Sequence, residues 1–255
     1  MPSRLPLWVG NDTNASDPVL NVDRSGNTLR SGGSVGANGF AIDLSSNTIY
    51  YGLGGFSGSS ITPRDLGTLT TGTSFSPPAV FAEDMTFDGS RIWRADVLGS
   101  SVQKINPSTH LVESSFNPGF GPVGIAWDGS GLWVSQFLGP LVKRFDTSGN
   151  PTGQQFNVSG FADGAGGLAF DPTDGTLWIG DTNNKIHHFT TGGMELGSFT
   201  IVGRNGSFID GLEFEGEGPG GGPPPSGVPE PTTLLLFGTT MAGFGMARWR
   251  RREQS

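Results

Sequence analysis

The sequence predicts an all-β chain folded as a five-bladed β-propeller, and three observations predict it. A short apolar strand centred on an aromatic recurs five times, as Leu7-Trp8-Val9, Ile49-Tyr50-Tyr51, Ile92-Trp93-Arg94, Leu132-Trp133-Val134 and Leu177-Trp178-Ile179. The aromatics stand 42, 43, 40 and 45 residues apart, a near-constant period that marks a repeat architecture. Glycine (43) and proline (18) are abundant in the 255 residues and charge is low, which favours strands and turns over helices.

Each element of the repeat follows in order. Upstream of the last four aromatic strands lies another strand that ends in an acid: Gly39 to Asp43, Asp84 to Asp88, Gly124 to Asp128 and Gly167 to Asp171. Turn residues separate the two strands, as in Asp88-Gly89-Ser90, Asp128-Gly129-Ser130 and Asp174-Gly175, where a tight hairpin needs them. A third strand comes next at Ser101 to Ile105, Leu141 to Phe145 and Lys185 to Phe189. A fourth is centred near Ser115, Gln155 and Ser198. Four antiparallel strands joined by short turns make one propeller blade.

The ends of the array complete it. The first aromatic strand, Leu7-Trp8-Val9, has no strand before it, while Asp210 to Glu215 matches the first strand of a repeat and has none after it. Pairing the two closes the ring and protects its sheet edges, giving five blades within residues 5–215. Six blades follow if residues upstream of Met1 supply more strands. The blade built on Phe40 to Phe75 is the least regular, because Gly52 to Thr62 is a Gly/Ser-rich insert. The segment Ile179-Gly180-Asp181-Thr182-Asn183-Asn184-Lys185-Ile186 resembles the second-to-third-strand connection of NHL-type and gluconolactonase-like propellers. That pattern is partial at Val9 to Asn14 and eroded elsewhere.

Beyond the propeller the composition changes. Residues 216–227 are glycine, proline, serine and one glutamate, with no apolar side chain to bury, and read as a linker. Residues 228–255 have three parts. Val228-Pro229-Glu230-Pro231 cannot continue a helix or a sheet ladder, since proline lacks an N–H. Residues 232–247 carry no charge and make a helix of about 24 Å, slightly short of a hydrocarbon core of about 30 Å. Arg248, Arg250, Arg251 and Arg252 follow as a membrane stop that favours the cytoplasmic side.

This order resembles the PEP-CTERM sorting signal of exported proteins in many Gram-negative bacteria. The resemblance covers about the last 28 residues. It implies recognition by an exosortase-type membrane protease, cleavage near Pro229-Glu230-Pro231, and release or anchoring at the cell envelope or outside it. Before processing, the chain would be held in the inner membrane by its C-terminal helix, with the C-terminus cytoplasmic. Exosortase systems accompany exopolysaccharide production, so the resemblance also implies a biofilm or matrix role, with a polysaccharide or envelope component as partner. Residues 1–10 contain no apolar stretch of 7–15 residues, so they are no secretory signal, and we expect the true start to lie upstream.

Charge and composition exclude several classes. Without residues 231–255, which carry four Arg and Glu253, 11 basic and 22 acidic side chains remain, a formal charge of −11. Nucleic acid is therefore not an expected partner, since phosphate binding needs clustered Lys and Arg. The absence of cysteine removes disulfides, thiolate metal sites and thiol nucleophiles. His110, His187 and His188 are the only histidines, no GxSxG elbow occurs, and His187 and His188, adjacent on a strand, must face opposite sides. The repeated aromatics read as inter-blade core rather than a sugar-stacking set.

One constellation points to a ligand. The residue before each innermost strand is Asn38, Glu83, Val123, Gly166 or Asp210, and these positions converge on one mouth of the channel. Asn38, Glu83 and Asp210 offer hard oxygen ligands of the kind calcium takes. Gluconolactonase-like relatives hold a divalent ion near this place with more ligands than this chain supplies. The expected function is a non-enzymatic, exported binding module without a required cofactor. A metal-dependent hydrolase or lactonase at the channel mouth is the reading from another class.

Overall fold

In the computed structural model, the described residues are 5–11, 17–33, 35–54, 59–158, 164–204 and 208–216. They form five antiparallel sheets in a ring. The first blade combines β19 (Leu212–Phe214) with β1 (Leu7–Val9), β2 (Val19–Val22) and β3 (Thr28–Gly33). The second contains β4 (Gly39–Asp43), β5 (Thr48–Leu53) and β6 (Ser60–Asp65). The third runs from β7 (Ala82–Phe87) through β8 (Ile92–Asp96) and β9 (Ser101–Ile105) to β10 (Val112–Phe116). The fourth has β11 (Pro122–Trp127), β12 (Leu132–Gln136), β13 (Leu141–Phe145) and β14 (Pro151–Asn157). The fifth has β15 (Leu168–Asp171), β16 (Thr176–Gly180), β17 (Lys185–Thr190) and β18 (Glu195–Thr200).

Closure takes the expected form. Leu7 pairs with Phe214, Trp8 with Glu213 and Val9 with Leu212, so the two ends of the array share one sheet. The blade expected to be least regular has three strands, and its fourth is reduced to the bridges Ile61–Phe75 and Arg64–Thr71.

Burial falls from the channel outward, and the sequence shows why. Every residue of β11 is buried and nearly every residue of β14 is exposed. Inner strands lie between neighbouring blades, so both of their faces are buried, and the polar side chains they carry, among them Asp84, Thr86 and Glu213, are buried as well. The core divides into five clusters, each shared by two neighbouring blades. Trp93 and Val102 of the third blade meet Ile125, Leu132 and Phe145 of the fourth. Trp133 and Val142 of the fourth meet Leu168 and Phe189 of the fifth. Trp178 and Ile186 of the fifth meet Leu7, Val22 and Phe214 of the first, which seals the ring. The repeated aromatics are core as expected: Trp8, Tyr50, Trp93, Trp133 and Trp178 are all buried. Burying one large apolar side chain contributes roughly 1.5–3 kcal/mol, so the repeat spacing is a stability requirement.

At the channel the inner strands approach closely. A Cβ on Gly39 would lie 2.5 Å from the Cα of Asp84, and one on Gly211 would lie 2.2 Å from the carbonyl oxygen of Asn38. Only glycine permits that approach.

Candidate functional site

Asn38, Glu83 and Asp210 lie where the inner strands β4, β7 and β19 begin, and the fold brings the three together with each side chain buried. The orientation of Asn38 follows from its hydrogen bonds. The backbone N–H of Gly54 donates to Oδ1 at 2.8 Å, which only an oxygen can accept. The amide nitrogen therefore faces the acids, donating to Glu83 Oε2 at 3.0 Å and reaching Asp210 Oδ2 at 3.5 Å. The expected trio is thus a hydrogen-bonded bridge, with N–H groups directed at both carboxylates. Val123 and Gly166 fill the other two positions of the ring; a Cβ on Gly166 would lie 2.3 Å from the carbonyl oxygen of Ile209. Among the described residues, no group of three or more His, Asp or Glu side chains is arranged to hold a metal ion.

One residue later on each inner strand, Gly39, Asp84, Gly124, Gly167 and Gly211 follow one another around the channel, and Asp84 alone is not glycine. Its buried carboxylate accepts N–H groups from Leu168 at 2.9 Å and Ile125 at 3.3 Å, as well as from Met85 at 2.9 Å. Inner strands have no partner on their channel side, so these N–H groups need side-chain acceptors. Thr86 does the same work for Trp127, while within the fourth blade Ser135 of β12 accepts the Gly124 N–H where the pairing of β11 with β12 shifts register. Glu213, also fully buried, lies within 3.4 Å of the Thr86 hydroxyl. Asp84 is outside the ring expected from sequence, although its departure from glycine is the signal that marks it.

At the other end of the inner strands, the acids close the hairpins as expected and hold more besides. Asp88 accepts from the backbones of Ser90 and Arg91, and also from the Trp93 indole at 2.8 Å. Asp128 accepts from Ser130, Gly131, the Trp133 indole at 2.9 Å and the Arg144 guanidinium. In the composite first blade Glu215 takes this role, accepting from the Trp8 indole at 2.9 Å and the Asn21 amide at 3.1 Å. Burial opposes ionisation of Asp128, but the bonds from Arg144 and Ser130 outweigh it and hold its carboxyl below the usual range. Asp171 departs from the pattern: it pairs with Arg24 of the first blade, which also bonds Asp174 and lies over Phe214.

The histidines sit on structural contacts. His187 Nδ1 lies 2.9 Å from Glu195 and Nε2 lies 3.2 Å from Asp181. Burial raises the Asp181 carboxyl, but His187 and the N–H groups of Lys185 and Asn183 lower it further. His188, on the opposite side of the sheet as expected, stacks on Trp178 and bonds Thr176. His110 stacks on Phe75.

The sorting residues Val228, Pro229, Glu230 and Pro231, the apolar helix expected at 232–247, and Arg248, Arg250, Arg251 and Arg252 lie outside the described residues. Comparison with known proteins covers them. Residues 227–252 match the model of the PEP-CTERM protein-sorting motif. No curated protein matches the chain. Among 1230 matching chains of solved structures is one from the crystal structure of a nidogen/laminin complex, at 14% identity and a TM-score of 0.56. The alignment covers 82% of this chain and 98% of that one. At that identity it shows the fold alone, and a fold shared so widely selects no activity. The chain is a five-bladed β-propeller that carries a C-terminal PEP-CTERM protein-sorting motif, a signal for export and for processing by an exosortase-type membrane protease.

Proposed function

We propose that the chain is a non-enzymatic binding module of the cell envelope or extracellular matrix, delivered there by its C-terminal signal. The observation that carries this reading is the closure of the propeller by β1 and β19 ahead of the motif at residues 227–252. The five sheets of the ring are built from strands within residues 7–214, so removal of residues 227–252 takes none of them away. Two of the histidines support a non-enzymatic role, because His110 and His188 each stack on an aromatic ring. A polysaccharide or another envelope component is the partner this address implies.

The test is expression of the full chain in a bacterial host with and without its exosortase. A shortened form in the envelope or medium is expected only when the protease is present. The same location and length after Pro229, Glu230 and Pro231 are all replaced by alanine would overturn the reading.

The metal-dependent hydrolase reading uses Asn38, Glu83 and Asp210, and their convergence favours it. Calcium there requires the Asn38 amide to turn over and give up the Gly54 N–H. That reading expects calcium to raise the melting temperature of the wild type but not of the Glu83→Ala/Asp210→Ala double variant. Equal calcium responses remove it.

A further inference from the structure

We propose that an open cleft between the fourth and fifth blades binds one ring of a neutral sugar. The cleft has a volume of about 350 Å³, in the range of small-ligand sites. Asp128, Arg144 and Gln154 line it from the fourth blade, and Phe170 and Thr191 from the fifth. It lies at the hairpin end of the inner strands, away from Asn38, Glu83 and Asp210.

The cleft exists because blade four departs from its neighbours at one cross-strand pair. In the third blade Trp93 is opposite Lys104, whose ammonium lies 5.2 Å from the indole. In the fifth, Trp178 is opposite His188, which stacks on it with ring centroids 4.3 Å apart. In the fourth, Trp133 is opposite Arg144, and Asp128 draws that guanidinium into a two-point pair through Nε and Nη2. Nη2 also bonds the Ser130 hydroxyl at 2.7 Å.

The pair leaves Nη1 of Arg144 without a protein acceptor among the described residues, held in a fixed plane by its two neighbours. The Gln154 amide and the Thr191 hydroxyl likewise make no protein hydrogen bond among the described residues. These groups supply a rigid donor, an amide that both donates and accepts, and a hydroxyl that does either. Vicinal sugar hydroxyls need that mixture. Phe170, half-buried, adds an apolar wall for the C–H face of a ring. An anionic ligand fits poorly, because Asp128 already neutralises Arg144 and the chain without residues 231–255 has a formal charge of −11.

The site rests on the reading of the propeller as a binding module, and the test separates the two. The full chain, held in a sugar-free detergent, is titrated calorimetrically with neutral hexasaccharides of glucose, mannose and galactose, and with a hexauronate. Saturable binding of a neutral oligosaccharide is expected, weakened about tenfold by Gln154→Ala and by Thr191→Val, the effect of losing one good hydrogen-bonding group. Melting temperatures of both variants should match the wild type, because neither side chain hydrogen-bonds the protein among the described residues. Neutral-sugar binding that survives both substitutions overturns this cleft and leaves the binding-module reading intact. Binding of the hexauronate alone, or of none of the four probes, also overturns the cleft. The binding-module reading is then decided separately, by whether the wild-type chain is retained on washed envelopes of its host.

Discussion

At the hairpin end of the inner strands, Asp88 and Asp128 each hold a tryptophan indole five residues further along the chain. At the opposite end, Asp84 accepts N–H groups from residues 41 and 84 positions away. The same side chain thus does local work at one end and ties three blades together at the other. The difference comes from what each strand end lacks. A hairpin supplies its own donors within a few residues, so a carboxylate there completes its own blade. The channel end supplies inner-strand N–H groups with no neighbouring strand, so a carboxylate there completes other blades.

Replacing Asp84 should break the comparison most visibly. Asp84→Gly would complete the ring of glycines begun by Gly39, Gly124, Gly167 and Gly211, and a repeat consensus would favour it. It would also leave the buried N–H groups of Ile125 and Leu168 without their acceptor. A loss of roughly 2–6 kcal/mol is expected, read from the urea midpoint at unchanged slope. A neutral or stabilising outcome would show that water replaces the carboxylate and that Asp84 is not a tie.

The same contrast explains what could be read in advance. Blade number, strand order and the weak second blade follow from period and turn chemistry, because each depends on residues near one another in sequence; closure, which pairs Leu7 with Phe214, was legible because the array begins and ends with complementary partial repeats. The convergence of Asn38, Glu83 and Asp210 was readable too, since the repeat places them at equivalent positions. Their detailed contacts were not, because the side of the Asn38 amide that faces the acids is decided by the N–H of Gly54, sixteen residues away just past the end of β5. Asp84 was marked only as an exception to glycine. The cleft beside Arg144 was hidden for the same reason: it arises from a competition between Asp128 and Trp133 for one guanidinium.

Asp128 should show a smaller effect, and one that depends on pH. Its folded carboxyl titrates below the ordinary value of 3.8, so the stability it contributes is full above that value and is lost as pH falls through the folded one. Asp128→Asn keeps one oxygen for the turn but sets an amide N–H against the Trp133 indole and Arg144. A loss of roughly 1–3 kcal/mol at pH 7 is expected. The gap between variant and wild type should begin to narrow below about pH 4, where the carboxyl of the unfolded chain gains its proton, and should go on narrowing as pH falls through the lower folded value. A gap that stays constant down to pH 2 would assign the loss to packing instead of charge. Asp88, without a guanidinium partner on its carboxylate, should lose less on the same substitution.

Glu215 offers the finest discrimination, because it stands in the hairpin-acid position of the one blade assembled from both ends of the repeat array. Both of its side-chain bonds, from the Trp8 indole and the Asn21 amide, end on Oε1. Glutamine retains a carbonyl oxygen there, so Glu215→Gln should change stability by less than about 0.5 kcal/mol, while Glu215→Ala should cost about 1 kcal/mol. Hydrogen exchange at Trp8 and Val9 would report whether that cost falls on the closing strands. If Glu215→Ala instead destabilises as much as Asp84→Gly, the clasp at the closure supports the whole ring, and the division between local and inter-blade carboxylates fails at the one blade whose inner strands are joined by pairing and not by a hairpin.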